Sequence, residues 1–298
     1  MNSSIPMRSL AILLATSFTV LGLASAKPIE VLVYSKTSWY RHPEIPRING
    51  YLAILGAKND INVSITESPD ELSARNLGNY DLILFNNSTN LGESLTVEQR
   101  KPIIEWFKKG GGIMVMHAGI VQNGTWPELI EIVGCDFHGD SEFVEARFLV
   151  DPKAEGDPVV AGKSKEFTYT ADWLNFDKSV TGLPGVEVLL RLDEKSYVPV
   201  REHPSYKDMK PMGDDHPICW RRKLGNGRYL FTGLGLWMTV DGEGTGHAQQ
   251  NDRWLFAIAY LFGLGGGLHL LCLLTIPSLL ILAWFSDDYP LRRVIKYL

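Results

Sequence analysis

The residues best suited to chemistry are three histidines near the ends of apolar runs. His117 closes the run in "KKGGGIMVMHAG", residues 108–119, which is launched by Gly110, Gly111 and Gly112. In many α/β proteins a reactive side chain stands at such a strand-to-helix turn. His42 ends the polar stretch "KTSWYRH", which follows the apolar run "IEVLVYS". His216 follows two consecutive carboxylates, Asp214 and Asp215, in "MGDDHPICW", and either could orient or charge its ring. Imidazole serves as a general acid or base near neutral pH, or ligates a metal in its neutral form. His42, His117 and His216 with a carboxylate could therefore hold Zn²⁺ or a similar divalent ion and leave one position open. No compact H-E-x-x-H spacing is present, so such a site would draw its ligands from different loops. Each histidine also has a structural alternative: His117 packed beneath a loop, His42 capping the next helix, His216 bonded inside a hairpin.

These side chains need elements to bring them together. "IEVLVYS" (29–35), "INVSITE" (61–67), "YDLILFNN" (80–87) and "GIMVMH" (112–117) read as strands, several continuously apolar as in sheets buried on both faces. A helix-like segment runs from about Ile45 to Leu55 and stops at Gly56. "TVEQRKPIIEWFKKGGG" reads as a second helix, with a Thr96/Gln99 capping box and Lys108-Lys109-Gly110 at its end. Pro102 inside it is expected to kink the helix or delay its start. Strands alternating with helices predict an α/β fold with a doubly wound, mostly parallel sheet. Ligands of such sheets bind at the carboxyl ends of the strands. His42, Asn86, Asn87 and His117 would then share one edge. The second half is richer in strands ("EFVEARFLVD", "KEFTYT", "VEVLLRL"), and Gly225-Asn226-Gly227 marks a β-hairpin. A last amphipathic helix is expected at about 249–262.

The bulk numbers narrow the classes. The chain has 298 residues, 45% of them hydrophobic and 21% charged, with a net charge of −5. No basic field, zinc-finger spacing or basic helix points to nucleic acid. Cys135, Cys219 and Cys272 are too few for a disulfide framework and suit small buried side chains. Residues 1–26 have a short n-region with one Arg, an apolar run and a closing Ala24-Ser25-Ala26, the pattern of a secretory signal peptide; the alternative is an uncleaved anchor. Residues 263–285 lack Asp, Glu, Lys and Arg and are long enough to cross a hydrocarbon core of ~30 Å as a transmembrane helix. Trp284 and Phe285 suit its interface. Arg292, Arg293 and Lys296 in the short tail 286–298 place that tail in the cytoplasm. The expected organisation is a main domain at 27–262, extracytoplasmic at a cell surface or secretory membrane with the membrane contacted through the C-terminal helix. It would be secreted if 263–285 is instead a tail from a gene-boundary error. Nothing in the sequence sets the oligomeric state.

Taken together, "VLVYSKTSWYRH", "YDLILFNNST", "FKKGGGIMVMHAG", "ADWLNF", "LDEKSY" and "MGDDHPICWRRKLGNGRYLFTG" resemble the ThuA-like, or trehalose-utilisation, family. The resemblance spans about residues 29–262. It implies a flavodoxin-like sheet related to class I glutamine amidotransferases. It also implies carbohydrate chemistry on a small-molecule sugar: disaccharides or keto-sugar derivatives, in an isomerase or hydrolase type of reaction. His117 resembles the family's histidine where amidotransferase relatives carry a cysteine nucleophile. No cysteine follows a strand in this chain, so a Cys-dependent glutamine amidotransferase is excluded. Asp172 and Trp173 resemble the family's acid–tryptophan pair, an acid for hydroxyls beside an aromatic platform for a sugar's C–H face. Asn86, Asn87 and Asp215 are further candidates for binding substrate, although the two asparagines equally suit a turn.

The chain departs from the family at three positions. "HAGIV" lacks the acid found after the histidine in many members, Leu236 replaces a histidine, and Asp140 stands where a further histidine is expected. Two functions compete: an enzyme using His42, His117 and His216 with Asp172 in acid–base or metal-assisted catalysis, and an inactive module that binds a carbohydrate or a partner. Convergence of the histidines on one cleft favours the first.

Overall fold

The computed structural model describes residues 27–160, 163–206 and 208–234. The segments 1–26 and 263–298, the helix expected at 249–262, Leu236 and Cys272 lie outside the described residues. No helix among the described residues is long and apolar enough to cross a membrane.

One nine-stranded sheet organises the described residues, in the order β2-β1-β3-β4-β9-β8-β7-β5-β6. The strands are β1 (Ile29–Tyr34), β2 (Ile61–Thr66), β3 (Leu82–Asn86), β4 (Gly112–Met116), β5 (Phe137–Val150), β6 (Glu166–Phe176), β7 (Val186–Asp193), β8 (Pro217–Leu224) and β9 (Gly227–Thr232). The first five in spatial order pair in parallel. From β9 onward every pairing is antiparallel. The sheet is therefore half antiparallel rather than mostly parallel, and the second-half strands extend the same sheet. In the parallel half β1, β3 and β4 occupy the interior. β3 and β4 are buried along their whole length, while the edge strand β2 buries only Ile61 fully, which is why the first two read as unbroken apolar runs.

Helix α1 (Ile45–Lys58) carries the chain from β1 to β2, and α2 (Val97–Lys108) carries it from β3 to β4. Thr96 and Gln99 complete the capping box. Pro102 neither delays nor ends α2, because the fully formed cap fixes the first turn. The glycines before β4 act on this helix, not on His117. Gly110 takes φ +116 just beyond the helix end, and Gly111 lies beneath the Trp106 ring, where a Cβ would come within 2.4 Å of it. The core is aromatic and continuous across both halves, with Trp126, Trp173, Trp220, Tyr229, Phe148 and Phe231 fully buried.

β5 and β6 project beyond their neighbours. β5 pairs with β7 only through Arg147–Val150, but with β6 from Phe137 to Leu149. Residues 137–146 of β5 and 169–176 of β6 thus form a two-stranded arm. Three bonds pin it: Asn175 Nδ2 donates to Pro199 O at 2.6 Å, the Arg201 amide donates to Asp140 O at 3.2 Å, and a ring nitrogen of His216 meets Leu174 O at 3.0 Å.

The tip of β4 sets where this arm lands. His117 follows β4 with φ +45, a left-handed conformation that a β-carbon resists, and a short 3₁₀ turn continues to Ile120. Gly119 in that turn touches β3, and a Cβ there would stand 2.7 Å from Phe85 O. Gly119→Ala is expected to push the turn off β3 and cost ~1–3 kcal/mol. Chemical denaturation of this variant beside a control substitution at Gly50, where a Cβ meets nothing within 4 Å and φ is not left-handed, measures it.

Candidate functional site

The arm covers the carboxyl edge of the parallel strands and leaves a cleft of about 720 Å³. That volume is in the range of small-molecule sites. Its floor carries His42, Asp140 and Asp172. Its rim carries Trp39, Tyr40, Phe143 and Tyr206, and Arg201 and His203 close one side. Trp39 (52%), Tyr40 (57%) and Phe143 (54%) are exposed although large and apolar, an arrangement that suits a ligand with C–H faces.

Each side chain is aimed by its backbone. The loop after β1 is tied down twice: Arg41 bonds Ser35 O at 3.1 Å and Glu67 at 2.5 Å, and the Thr89 hydroxyl donates to Tyr40 O at 3.0 Å. This holds Trp39 and Tyr40 at the mouth and His42 inward. In β5, Asp140 lies opposite Leu174 and Phe143 opposite Asp172, with register shifts on either side of Asp140. Residues three apart point to opposite faces of a regular strand. The β-bulge turns Asp140 and Phe143 to the same face, toward the same cleft. Ser141, within the bulge, accepts a bond from the Trp173 amide at 2.9 Å.

Charge is concentrated behind the floor. His117 is wholly buried. Its Nδ1 faces Gly233 O at 3.1 Å and its Nε2 faces Asp172 Oδ1 at 3.4 Å. That separation exceeds a short charge-assisted hydrogen bond, so the contact is a close ion pair. The His42 ring meets the His117 ring edge-on, with centroids 5.2 Å apart. Burial lowers the basicity of His117, but the Asp172 carboxylate and the Gly233 carbonyl outweigh it and leave the ring above its ordinary pKa. Burial also disfavours ionised Asp172, yet His117, then His42, hold it well below the carboxylate range. His42 is pushed down to about 4 by burial and by the neighbouring His117 charge, against Asp172. Asp140 is pushed up to about 6 by burial, against Arg201, whose Nε stands 2.7 Å from Asp140 Oδ1. The cleft thus holds a neutral imidazole, an ionised carboxylate and a carboxyl that titrates near neutrality, three groups whose environments drive their affinities for a proton apart.

The structure brings together His42, His117 and Asp172, with His117 behind the other two. It does not bring His216 to the cleft. That ring is buried, with Nδ1 2.8 Å from Glu194 Oε1 and Nε2 3.0 Å from Leu174 O. Glu194 partners it, not Asp214 or Asp215. Asp214 pairs with Lys195 at 2.9 Å, and Asp215 pairs with Arg191 and accepts from the Thr181 hydroxyl at 2.7 Å. Trp173 is fully buried, its indole donating to Val144 O at 2.9 Å, so the aromatic face offered to a ligand comes from other rings. Asn86 and Asn87 are buried in a chain of bonds: Asn86 Nδ2 to Asn49 Oδ1, and Asn87 Nδ2 to Asn86 Oδ1, each 2.8 Å. They join strand ends to α1. Among the described residues no three His, Cys, Asp or Glu side chains are grouped as metal donors. His216, with both nitrogens engaged, does not complete a three-histidine site. Cys135 is buried before β5, and burial pushes its thiol well up, away from the thiolate form.

Sequence reasoning passed over Arg201, Tyr206, His203 and the rim aromatics. Only "SWY", two aromatics in a polar loop beside His42, carried a visible signal.

A family model described as "ThuA: Trehalose utilisation" matches residues 30–237. A second, for the protein O-mannosyl-transferase TMEM260 N-terminal domain, matches residues 227–292. The fold is similar to that of a putative ThuA-like protein from Bacteroides uniformis ATCC 8492, with TM-score 0.62, 21% identity, and coverage of 80% of this chain and 94% of that one. A putative ThuA-like protein from Parabacteroides merdae ATCC 43184 gives TM-score 0.51 and 16% identity, over 70% and 79% of the chains. No curated protein matches the chain.

The buried pair has a signature. Asp172→Asn is expected to drop the His117 pKa below the ordinary histidine value, because burial then acts without the carboxylate. Nitrogen-15 imidazole NMR reads this directly. The stability effect has a window. Asp172, lowered on folding, stabilises above its unfolded value of ~3.9, and His117, raised, stabilises below its unfolded ~6.5. The loss should be largest between those values, ~1–3 kcal/mol since Asp172 is 24% exposed, and should shrink as pH falls toward the folded pKa of Asp172. Urea midpoints across pH check it.

Proposed function

Since the chain belongs to the ThuA, trehalose-utilisation family, we propose that its cleft binds a neutral disaccharide or a keto derivative of one and acts on it by acid–base chemistry. The observation that carries this is the pairing of an aromatic rim with an ionisable floor in one cleft of about 720 Å³. Trp39, Tyr40 and Phe143 supply faces for the C–H side of a pyranose ring. Beneath them His42 is neutral at ordinary pH and able to take a proton. Asp172 is ionised and accepts a hydroxyl, and His117 acts through it, as a positioning residue that fixes its charge. A reaction that moves protons on a sugar without a covalent enzyme intermediate uses these groups as they stand.

The same proposal puts the domain outside the cytoplasm, supported by the Ala24-Ser25-Ala26 pattern and the uncharged segment 263–285. The second reading, a binding module without turnover, is favoured by one observation: the turn after His117 carries Ala118, Gly119 and Ile120 and no acid.

Incubating the full-length protein with neutral disaccharides and their 3-keto derivatives, following products by chromatography and binding by tryptophan fluorescence, separates the two. His42→Ala is expected to slow turnover on the order of 10²-fold while binding changes little. Trp39→Ala is expected to weaken binding about tenfold, the equivalent of one lost aromatic contact. Binding unchanged by Trp39→Ala would overturn the assignment of the rim. Binding without turnover on any sugar would establish the binding module.

A further inference from the structure

We propose that Asp140 is a second catalytic group of the cleft, the proton donor that complements His42, and that Arg201 is its positioning residue. This rests on the acid–base reading above and adds the residue that it lacks.

The geometry singles out Asp140. The bulge exists at its position, and without it Asp140 and Phe143 could not both face the cleft. The arm spends a register irregularity, and so part of a ladder, to aim this carboxyl. Asp140 is then gripped twice by one residue: the Arg201 amide donates to its carbonyl at 3.2 Å, and Arg201 Nε approaches its carboxylate at 2.7 Å. The guanidinium is itself held, lying over the Tyr206 ring at 5.2 Å and donating to the Tyr206 hydroxyl at 3.3 Å. Tyr206 packs on Phe137, and Phe137 on Trp39, so the grip is continuous with the aromatic rim. A structural ion pair at a surface needs none of this. A carboxyl that must meet a ligand atom in one orientation does.

The charged and titratable groups facing Asp140 explain why it carries a proton. Arg201 and Tyr206 face it from the segment before β8, Asp172 from β6 and His117 from the end of β4. Burial, then the Asp172 charge, favour the protonated form; Arg201 and His117 oppose it. The outcome is a carboxyl titrating at about 6 beside an imidazole titrating at about 4. At pH 5 one holds its proton and the other is free to take one. On a keto sugar the step balances. The Asp140 O–H bond breaks and an O–H bond forms at the sugar carbonyl oxygen. The adjacent C–H bond breaks, its electron pair forms the C=C bond of the enediol, and its proton bonds to His42. One proton enters the sugar and one leaves, with no electron gained or lost. Solvent then returns the proton to Asp140 and takes the one on His42.

The test is solvent-deuterium incorporation into 3-keto-trehalose by the full-length protein from pH 4 to 8, with uncatalysed exchange subtracted, beside a carbon-13 titration of the aspartate carboxyls. In the wild type, exchange should fall as pH rises through about 6, with the Asp140 carboxyl titrating at the same midpoint. Asp140→Asn, which keeps the backbone bond to Arg201, should exchange on the order of 10²-fold more slowly and lose that limb. Arg201→Gln should move the midpoint up, because the cation that opposes protonation is gone. Asp140→Asn exchanging at the wild-type rate with the limb retained, or an Asp140 carboxyl titrating in the ordinary carboxylate range, overturns this assignment and leaves the acid–base reading standing. A wild type that binds the sugar but exchanges nothing overturns both.

Discussion

The structure turns on the contact between His117 and Asp172, because it joins two parts of the sheet that are far apart along it. β4, which ends at His117, and β6, which carries Asp172, are separated by β9, β8, β7 and β5. At about 4.8 Å per strand that is ~24 Å across a flat sheet. The two side chains nonetheless stand 3.4 Å apart. The antiparallel half must therefore curl, as a strongly twisted sheet does, until the β5–β6 arm returns over the strand ends it left. The cleft is the space enclosed by that return. An apolar contact could close it as well, but only a charged pair also loads the floor with opposed proton affinities.

Holding an arm in that position needs anchorage, and the buried polar residues supply it. His216 is the clearest case: its ring spans from Glu194 to the carbonyl of Leu174, a residue opposite Asp140 in the ladder. It sits behind the floor and fixes the strand that carries Asp172. The Asn49–Asn86–Asn87 chain does the same for the parallel strand ends, where Asn87 takes φ +54. Buried polar groups joined in this way specify one arrangement, since any other would leave them unpaired. Functional-looking side chains close to the cleft divide on this test. Those with every polar atom engaged by protein hold the scaffold; those that line the cavity remain for a ligand.

The strands and helices of the first half were legible because period and capping are local. The continuous runs of β3 and β4, the capping box at Thr96 and the edge position of His42 and His117 all follow from short windows of sequence. The arm was not legible. Its function depends on a bulge at Asp140–Phe143, and a bulge changes the face of a residue without changing the composition around it. Trp173 shows the cost. Next to Asp172 in sequence, it looked like a companion in the site, but neighbours on a strand point to opposite faces, and it fills the core. His216 beside Asp214 and Asp215 misled in the same way, since its partner Glu194 lies 22 residues away in sequence.

Departures from the family pattern acquire meaning once the floor is in view. The turn after His117 carries no acid, where the resemblance implies one; Asp172, brought by the arm, stands against His117 Nε2. Asp140, where the family resemblance implies a further histidine, is brought by burial and the Asp172 charge to about 6, close to the range in which an imidazole titrates. A carboxyl and an imidazole with similar affinities differ in charge: the protonated carboxyl is neutral and the imidazolium is positive. Beside Arg201 and a charged His117, a third cation would be repelled, whereas a neutral acid is not. An aspartate at this place therefore supplies a proton below about pH 6 without adding positive charge beside Arg201 and His117.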